Sequence, residues 1–106
     1  MKNGQFVRQG DILVKKRAEP IPATATPIDG PAILAEGETT GHHHQVREGA
    51  AILEIGEDRF LRMMQDAPLV HEEHEAIPAS LLSVGEYDIV RQVEWTDEDE
   101  PRQVSD

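Results

Sequence analysis

All five histidines of this chain fall in two short clusters. His42, His43 and His44 are consecutive, and His71 and His74 enclose a pair of glutamates. Imidazole is the commonest side-chain ligand for zinc, copper, nickel and iron. The clusters therefore indicate a site for one divalent transition metal ion, with zinc, nickel or iron as candidates. No other motif indicates a reaction, so the sequence leaves open whether the chain is an enzyme.

The first cluster has the spacing that a β-strand needs to present ligands on one side. Alternate side chains of a strand point the same way, so His42, His44 and Glu48 would share a face. His43 would point to the opposite side, where a structural or solvent-exposed role is expected. The first cluster thus contributes two imidazoles and one carboxylate to the candidate metal site.

The second cluster needs a reversal of the chain to act as one unit. On a straight strand His71 and His74 would face opposite sides, whereas a tight turn at Glu72 and Glu73 would bring both rings to one face. Strand pairing could then place His44 beside them. The predicted ligands are His44, His71 and His74, completed by His42 or Glu48. A metal-free, pH-sensitive histidine cluster is the alternative.

The elements that must position these residues are short apolar runs separated by turn residues, the pattern of an all-β domain. A small barrel or a two-sheet sandwich of the jelly-roll or cupin-like kind, with little helix, accounts for them. Residues 19–31 hold four prolines and are expected to form an extended connection. Residues 56–58 are expected to form a hairpin turn. The predicted strands are 12–16, 32–36, 42–48, 51–55, 59–63, 68–71 and 87–95.

The last predicted strand carries one unusual residue. Tyr87, Ile89, Val93 and Trp95 alternate onto one face, and Arg91 falls on that same apolar face. A guanidinium there is expected to reach the rim of the core or to pair with an acid, and contact with a substrate anion is the sharper alternative.

Charge and composition restrict the partners. The formal net charge is −11 and cysteine is absent, so nucleic acid binding, disulfides and thiolate ligands are not expected. No membrane span or secretion signal is visible. We expect one β domain over 1–97 and an acidic flexible tail over 98–106. The location would be cytoplasmic, or the virion if the protein is encoded by a phage.

Two resemblances add to this interpretation. The spacing His42-x-His44-x-x-x-Glu48 resembles the first metal-binding motif of cupins, which implies a jelly roll with a metal inside. The segments 37–44 and 70–74, of the form GExTGHxH and VHxxH, are similar to a group of small uncharacterised proteins of bacteria and phages. That group implies no activity, and it favours His44, His71 and His74 over His43.

Two functions follow from these observations. The first is a small metal-binding β-barrel protein with a histidine-rich site of unassigned activity. The second is a structural or assembly module, such as a phage decoration or accessory protein, that docks through its β domain. The partners would be further copies of the chain or a larger protein assembly.

Overall fold

The computed structural model describes residues 2–36, 43–91, 93–95 and 101–103. Over these ranges the chain forms strands and no helix, so the all-β prediction is confirmed. No helix that could cross a membrane is found among these residues. The strands are β1 Phe6–Gln9, β2 Ile12–Lys16, β3 Thr26–Ile28, β4 Ala32–Glu36, β5 His43–Val46, β6 Ala50–Ile55, β7 Asp58–Met63, β8 Gly85–Arg91, β9 Val93–Trp95 and β10 Pro101–Gln103.

Six strands form one antiparallel sheet in the order β1-β2-β8-β7-β6-β3. β4 pairs with β5, and β9 with β10, as separate two-stranded units. In the described part of the chain this is a two-sheet arrangement without closure into a barrel, so a sandwich describes the fold and the barrel and cupin-like forms are not confirmed. The hairpin turn predicted at 56–58 is found, with β6 and β7 joined at Gly56 and Glu57.

The main core lies between the inner face of the large sheet and the β4–β5 hairpin. Alternation on β2 turns Ile12 and Val14 inward, and Tyr87 of β8 is fully buried beside them. The Tyr87 hydroxyl donates to the Ser83 carbonyl oxygen at 2.6 Å, which satisfies its one polar group. The segment between β7 and β8 closes this core with Ala67, Leu69, Ile77 and Leu82.

The proline-rich connection covers the other face of the large sheet. Ile21 and Ala25 form a second buried cluster with Leu53 of β6 and Phe60 of β7. The connection also includes β3, a short strand containing Pro27 that pairs with β6 at the edge of the sheet. An edge position suits proline because its missing N–H is not needed for a further ladder. The extended segment therefore covers one face of the large sheet and also supplies its edge strand, β3.

Two predicted strands differ from the structure. Residues 68–71 form no strand, and only isolated bridges pair Val70 with Gln45 and Leu69 with Ile77. The strand predicted over 87–95 is divided, because β8 ends at Arg91 within the large sheet and β9 pairs with β10. In the acidic tail predicted to be flexible, residues 101–103 pair with β9, and the rest of the tail lies outside the described residues.

The cover over the second cluster can be tested by a pair of isoleucine substitutions. Ile21→Ala should lower the free energy of unfolding by about 2–4 kcal/mol, because it removes a buried side chain from Leu53 and Phe60. Ile28→Ala is the control, since Ile28 is 42% exposed, and should cost no more than about 1 kcal/mol. Urea unfolding measures both. Equal losses would show that the connection does not pack as described.

Candidate functional site

The two histidine clusters meet in the structure. Val70 bridges Gln45 of β5 through two backbone hydrogen bonds of 2.9 and 3.0 Å, which places the neighbouring residues His44 and His71 side by side. Their ring centroids are 4.3 Å apart. The prediction that strand pairing brings the clusters together is confirmed in position, although the pairing is a single bridge and not a full ladder.

The chain bends directly after His71, as expected. The Glu73 N–H donates to His71 Nδ1 at 3.0 Å, and the bend returns His74 to its partner ring at a centroid distance of 4.5 Å. His44 and His74 are stacked at 5.9 Å. The three rings thus form one contact cluster of His44, His71 and His74, here called the histidine cluster.

His44 lies at the centre of this site because β5 turns it inward. His44 and Val46 are buried on one face of β5, while His43 and Gln45 are partly exposed on the other. His44 Nδ1 lies 2.9 Å from Gln9 Oε1. Gln9 Nε2 donates to the carbonyl oxygens of Leu69 and Glu75, both at 3.0 Å, so its amide orientation is determined. His44 Nδ1 therefore carries the hydrogen and donates it to Gln9.

The second nitrogen of His44 faces a buried carboxylate. His44 Nε2 lies 3.2 Å from Asp11 Oδ1, and both side chains are fully buried. The Arg91 Nε–H donates to Asp11 Oδ2 at 2.8 Å, which confirms the prediction that Arg91 pairs with an acid. The sequence analysis did not identify Gln9 and Asp11 as site residues. The one signal for Asp11 was Arg91 on an apolar face, for which an acidic partner was one of the expected environments.

Burial sets the charge of His44. Desolvation lowers its pKa from 6.5 to about 4; His71 and, more weakly, His74 act in the same direction, while Asp11 opposes the shift. At neutral pH His44 is therefore neutral, with its hydrogen on Nδ1. Its Nε2 lone pair then points at a carboxylate oxygen of Asp11, so that two electron-rich atoms face each other in the core.

His74 offers a further nitrogen donor. Its Nε2 atom is buried and has no hydrogen-bond partner within the described ranges. It lies against Gly10 in the turn between β1 and β2, where an added Cβ would come within 2.6 Å of Nε2 and 3.2 Å of His44 Cε1. Gly10 has a φ of +58°, so it supplies both the left-handed turn and the space for the rings.

Of the two remaining predicted ligands, the structure describes only Glu48, and it does not place Glu48 in the histidine cluster. His42 lies outside the described residues. Glu48 is exposed in the turn between β5 and β6. His43 is partly exposed on the opposite face, and its backbone N–H donates to Glu72 Oε2 at 3.0 Å. The structure places Asp11 at the site where the sequence suggested Glu48.

No set of three or more His, Asp or Glu side chains is arranged to hold a metal ion in the part of the chain that the structure describes. Hydrogen bonding gives a physical reason. His71 Nδ1 accepts the Glu73 N–H, which leaves the hydrogen of a neutral His71 on Nε2. The rings therefore pack against one another and do not converge on one point.

Comparison with known proteins gives a family and no function. The family described as "Domain of unknown function (DUF8820)" matches residues 8–92. The chain belongs to this family. No curated protein and no solved structure matches the chain. The match covers the histidine cluster together with Gln9, Asp11 and Arg91, so the whole site lies within the family's domain.

The pKa of His44 predicts a loss of stability in acid. A folded-state pKa below the unfolded value of 6.5 means that the unfolded chain binds the proton more readily as pH falls from 6.5 toward 4. Metal-free protein should therefore lose on the order of 3 kcal/mol from this group across that window, and nothing from it above pH 7. Urea unfolding of the parent and of His44→Gln at several pH values measures the difference. Parallel pH profiles would contradict it.

A pair of glycine substitutions tests the packing of the turn. Gly10 and Gly56 have nearly the same φ, +58° and +57°, but nothing lies within 4 Å of a Cβ on Gly56. Gly56→Ala should cost about 1 kcal/mol from backbone strain alone. Gly10→Ala should cost about 2 kcal/mol or more, because its Cβ must also displace His74. Thermal or urea unfolding compares them, and equal costs would show that the rings do not pack on Gly10.

Proposed function

We propose that this domain binds one divalent transition metal ion, zinc, nickel or iron, through His44 and Asp11, with His71 and His74 completing the ligand set. Asp11 replaces Glu48 as the carboxylate ligand. Nitrogen and oxygen donors of this kind suit zinc and its neighbours better than calcium or magnesium, which prefer oxygen alone.

The observation that carries the proposal is the contact between His44 Nε2 and Asp11 Oδ1 at 3.2 Å. Gln9 holds the hydrogen of His44 on the other nitrogen, so both facing atoms present lone pairs. A cation between them relieves this repulsion. A proton is disfavoured because burial lowers the pKa of His44 to about 4, whereas a metal ion is a stronger competitor at neutral pH.

His74 and His71 supply the remaining donors. His74 Nε2 is buried beside His44 and has no hydrogen-bond partner in the described part of the chain. His71 requires one local change, since it must give up the Glu73 N–H on Nδ1 before Nε2 can ligate as a neutral imidazole. That change is confined to the bend at 72–74. Metal binding would therefore reorder this bend while β5 and the β1–β2 hairpin keep their positions.

The groups around the ligands match those that support metal sites. A ligating imidazole usually donates its other N–H to an oxygen, which fixes its tautomer and orientation, and Gln9 accepts that bond from His44. Arg91 holds Asp11 Oδ2 and leaves Oδ1 facing His44. The structure contains both orienting contacts.

Burial favours a structural role for the ion over a catalytic one. His44 and Asp11 are fully buried and His71 is 8% exposed. Closed sites with four protein ligands are typical of structural zinc, whereas catalytic zinc keeps an open position for water. The ligands come from the β1–β2 turn, β5 and the segment between β7 and β8, so one ion would fasten three parts of the fold.

Metal titration of protein purified without a histidine tag tests the proposal. Elemental analysis, calorimetric titration with zinc and nickel, and the absorption spectrum with cobalt should show one site per chain with mixed nitrogen and oxygen ligands. Zinc should raise the melting temperature, because it binds the folded state preferentially. Asp11→Asn and His74→Ala should each weaken binding at least tenfold. Gln9→Met should weaken it by about 10–100-fold through loss of the tautomer-fixing bond.

Matched controls separate this site from adventitious binding. Glu48→Gln removes an exposed carboxylate, and His43→Gln removes the imidazole on the opposite face of β5. Both should bind zinc as tightly as the parent. If these controls lose binding while Asp11→Asn keeps it, the ion binds elsewhere. If the parent binds no metal, the cluster is a hydrogen-bonded core and the assembly hypothesis takes precedence.

A further inference from the structure

The large sheet ends in two edge strands of different character. β3 at one edge is three residues long, and its central residue, Pro27, has no N–H to donate to a further strand. β1 at the other edge contains no proline. Because unpaired backbone groups at a sheet edge can bind an added strand, the two edges differ in what they can accept.

The strand register shows which backbone groups of β1 point outward. The Lys16 N–H donates to the Gln5 carbonyl oxygen at 2.9 Å at the start of the pairing between β1 and β2. Hydrogen-bonded and non-bonded pairs alternate along an antiparallel ladder, so the two N–H and two C=O groups of Phe6 and Arg8 point away from β2. None of these four groups has a hydrogen-bond partner in the part of the chain that the structure describes. We call Phe6, Val7 and Arg8 the open edge.

The two faces of the open edge have different chemistry. Phe6 and Arg8 are exposed on the outer face of the sheet, and Phe6 is 60% exposed. Val7 points to the inner face, where it packs against the main core. A strand added here would therefore lay alternate side chains beside Phe6 and Arg8 on one face and beside Val7 on the other.

The outer face at this edge is basic, although the chain as a whole has a formal charge of −11. Lys15 of β2 is exposed on the same face as Arg8. Neither side chain forms an ion pair among the described residues. Asp88, the acid beside Lys15 on β8, pairs with Arg17 instead. Two uncompensated cations therefore lie next to four unpaired backbone groups.

These cations disfavour a second copy of the chain as the occupant. To use all four outward groups, two copies of β1 would have to pair with Phe6 opposite Arg8. The two arginines would then be diagonal neighbours about 7–8 Å apart, and charged side chains of this kind protect edge strands from self-pairing. An acidic segment turns the same local repulsion into attraction. At physiological ionic strength the Debye length is about 8 Å, so the adjacent cations outweigh the distant acids of the chain.

We propose that the open edge binds an extended segment of a partner protein, which adds a strand antiparallel to β1 and carries acidic residues at alternate positions with aliphatic residues between them. The four outward backbone groups bond the segment, and Arg8 and Lys15 attract its carboxylates. Its aliphatic side chains extend the inner-face core beside Val7. The proposal does not rest on metal binding, because no residue of the open edge belongs to the proposed ligand set.

A capped heptapeptide of alternating glutamate and valine is the probe, and nitrogen-15 NMR of the full chain follows its binding. The peptide should shift the amide signals of Phe6 and Arg8 and slow their hydrogen exchange. The Val7 N–H, which points to β2, and those of Thr26 and Ile28 at the opposite edge should keep their exchange rates. A matched glutamine–valine peptide should bind more weakly. Unchanged signals of Phe6 and Arg8 at millimolar peptide, or a preference for the glutamine peptide, would overturn the proposal.

N-methylated peptides separate strand addition from simple charge attraction. In the proposed register the glutamate side chains share a face with Arg8, so the glutamate N–H groups point at β1 and the valine N–H groups point to solvent. Methylation of the glutamate nitrogens should abolish protection of the β1 amides, whereas methylation of the valine nitrogens should preserve it. Equal binding of the two methylated peptides would show that no strand is added.

Two substitutions test the same contacts from the side of the chain. Phe6→Pro gives β1 the missing donor that Pro27 gives β3, so the chain should stay folded and bind the peptide at least tenfold more weakly. Arg8→Gln should weaken binding by about two- to fivefold, the scale of an exposed ion pair. Arg47→Gln removes an exposed cation between β5 and β6 and is the control. Equal weakening by Arg47→Gln would mean that net charge alone acts, and the assigned position would be wrong.

Sedimentation of the chain alone distinguishes a partner segment from a second copy. Without peptide, the Phe6 and Arg8 amides should exchange freely at every protein concentration. A dimer that protects these two amides and resists displacement by the peptide would mean that a second copy occupies the open edge, and the proposal would be wrong.

Discussion

The site depends on one buried side chain, His44, whose two ring nitrogens both face the turn that joins β1 to β2. Gln9 accepts from Nδ1 and Asp11 faces Nε2. A buried imidazole without partners would cost several kcal/mol, so its position is tied to the geometry of this turn. Gly10 supplies the left-handed conformation that lets Gln9 and Asp11 flank the ring.

The same turn links separate layers of the fold. Gln9 also donates to the backbone carbonyls of Leu69 and Glu75, so it fastens the β7–β8 connection that has no strand pairing except isolated bridges. Asp11 reaches Arg91 at the end of β8. Hydrogen bonds thus replace a continuous ladder where the two sheets meet. The buried polar residues Gln9, Asp11, His44 and His71 therefore lie where β5 meets the large sheet.

Local pattern determined much of the secondary structure. Alternation placed β2, β4, β6 and β7 close to their observed bounds, and Gly56 marked the hairpin between β6 and β7. The structure of the chain between β7 and β8 was harder to predict, because Leu69 and Val70 are paired by isolated bridges and not by a ladder. Whether the sheets close into a barrel was also beyond the sequence, since closure depends on pairing between distant strands.

For the site, the sequence by itself determined which histidines belong together, because imidazoles occur in two clusters only and alternation turned His44 inward. It also gave an acidic partner as one of the expected environments of Arg91. The tertiary structure alone decided that the acid beside Arg91 is Asp11. It also placed Asp11, and not the expected Glu48, beside His44. The reason is that Gln9 and Asp11 have the sequence pattern of ordinary hairpin-turn residues. Only the packing of that turn on β5 buries their side chains and places them within hydrogen-bond distance of His44.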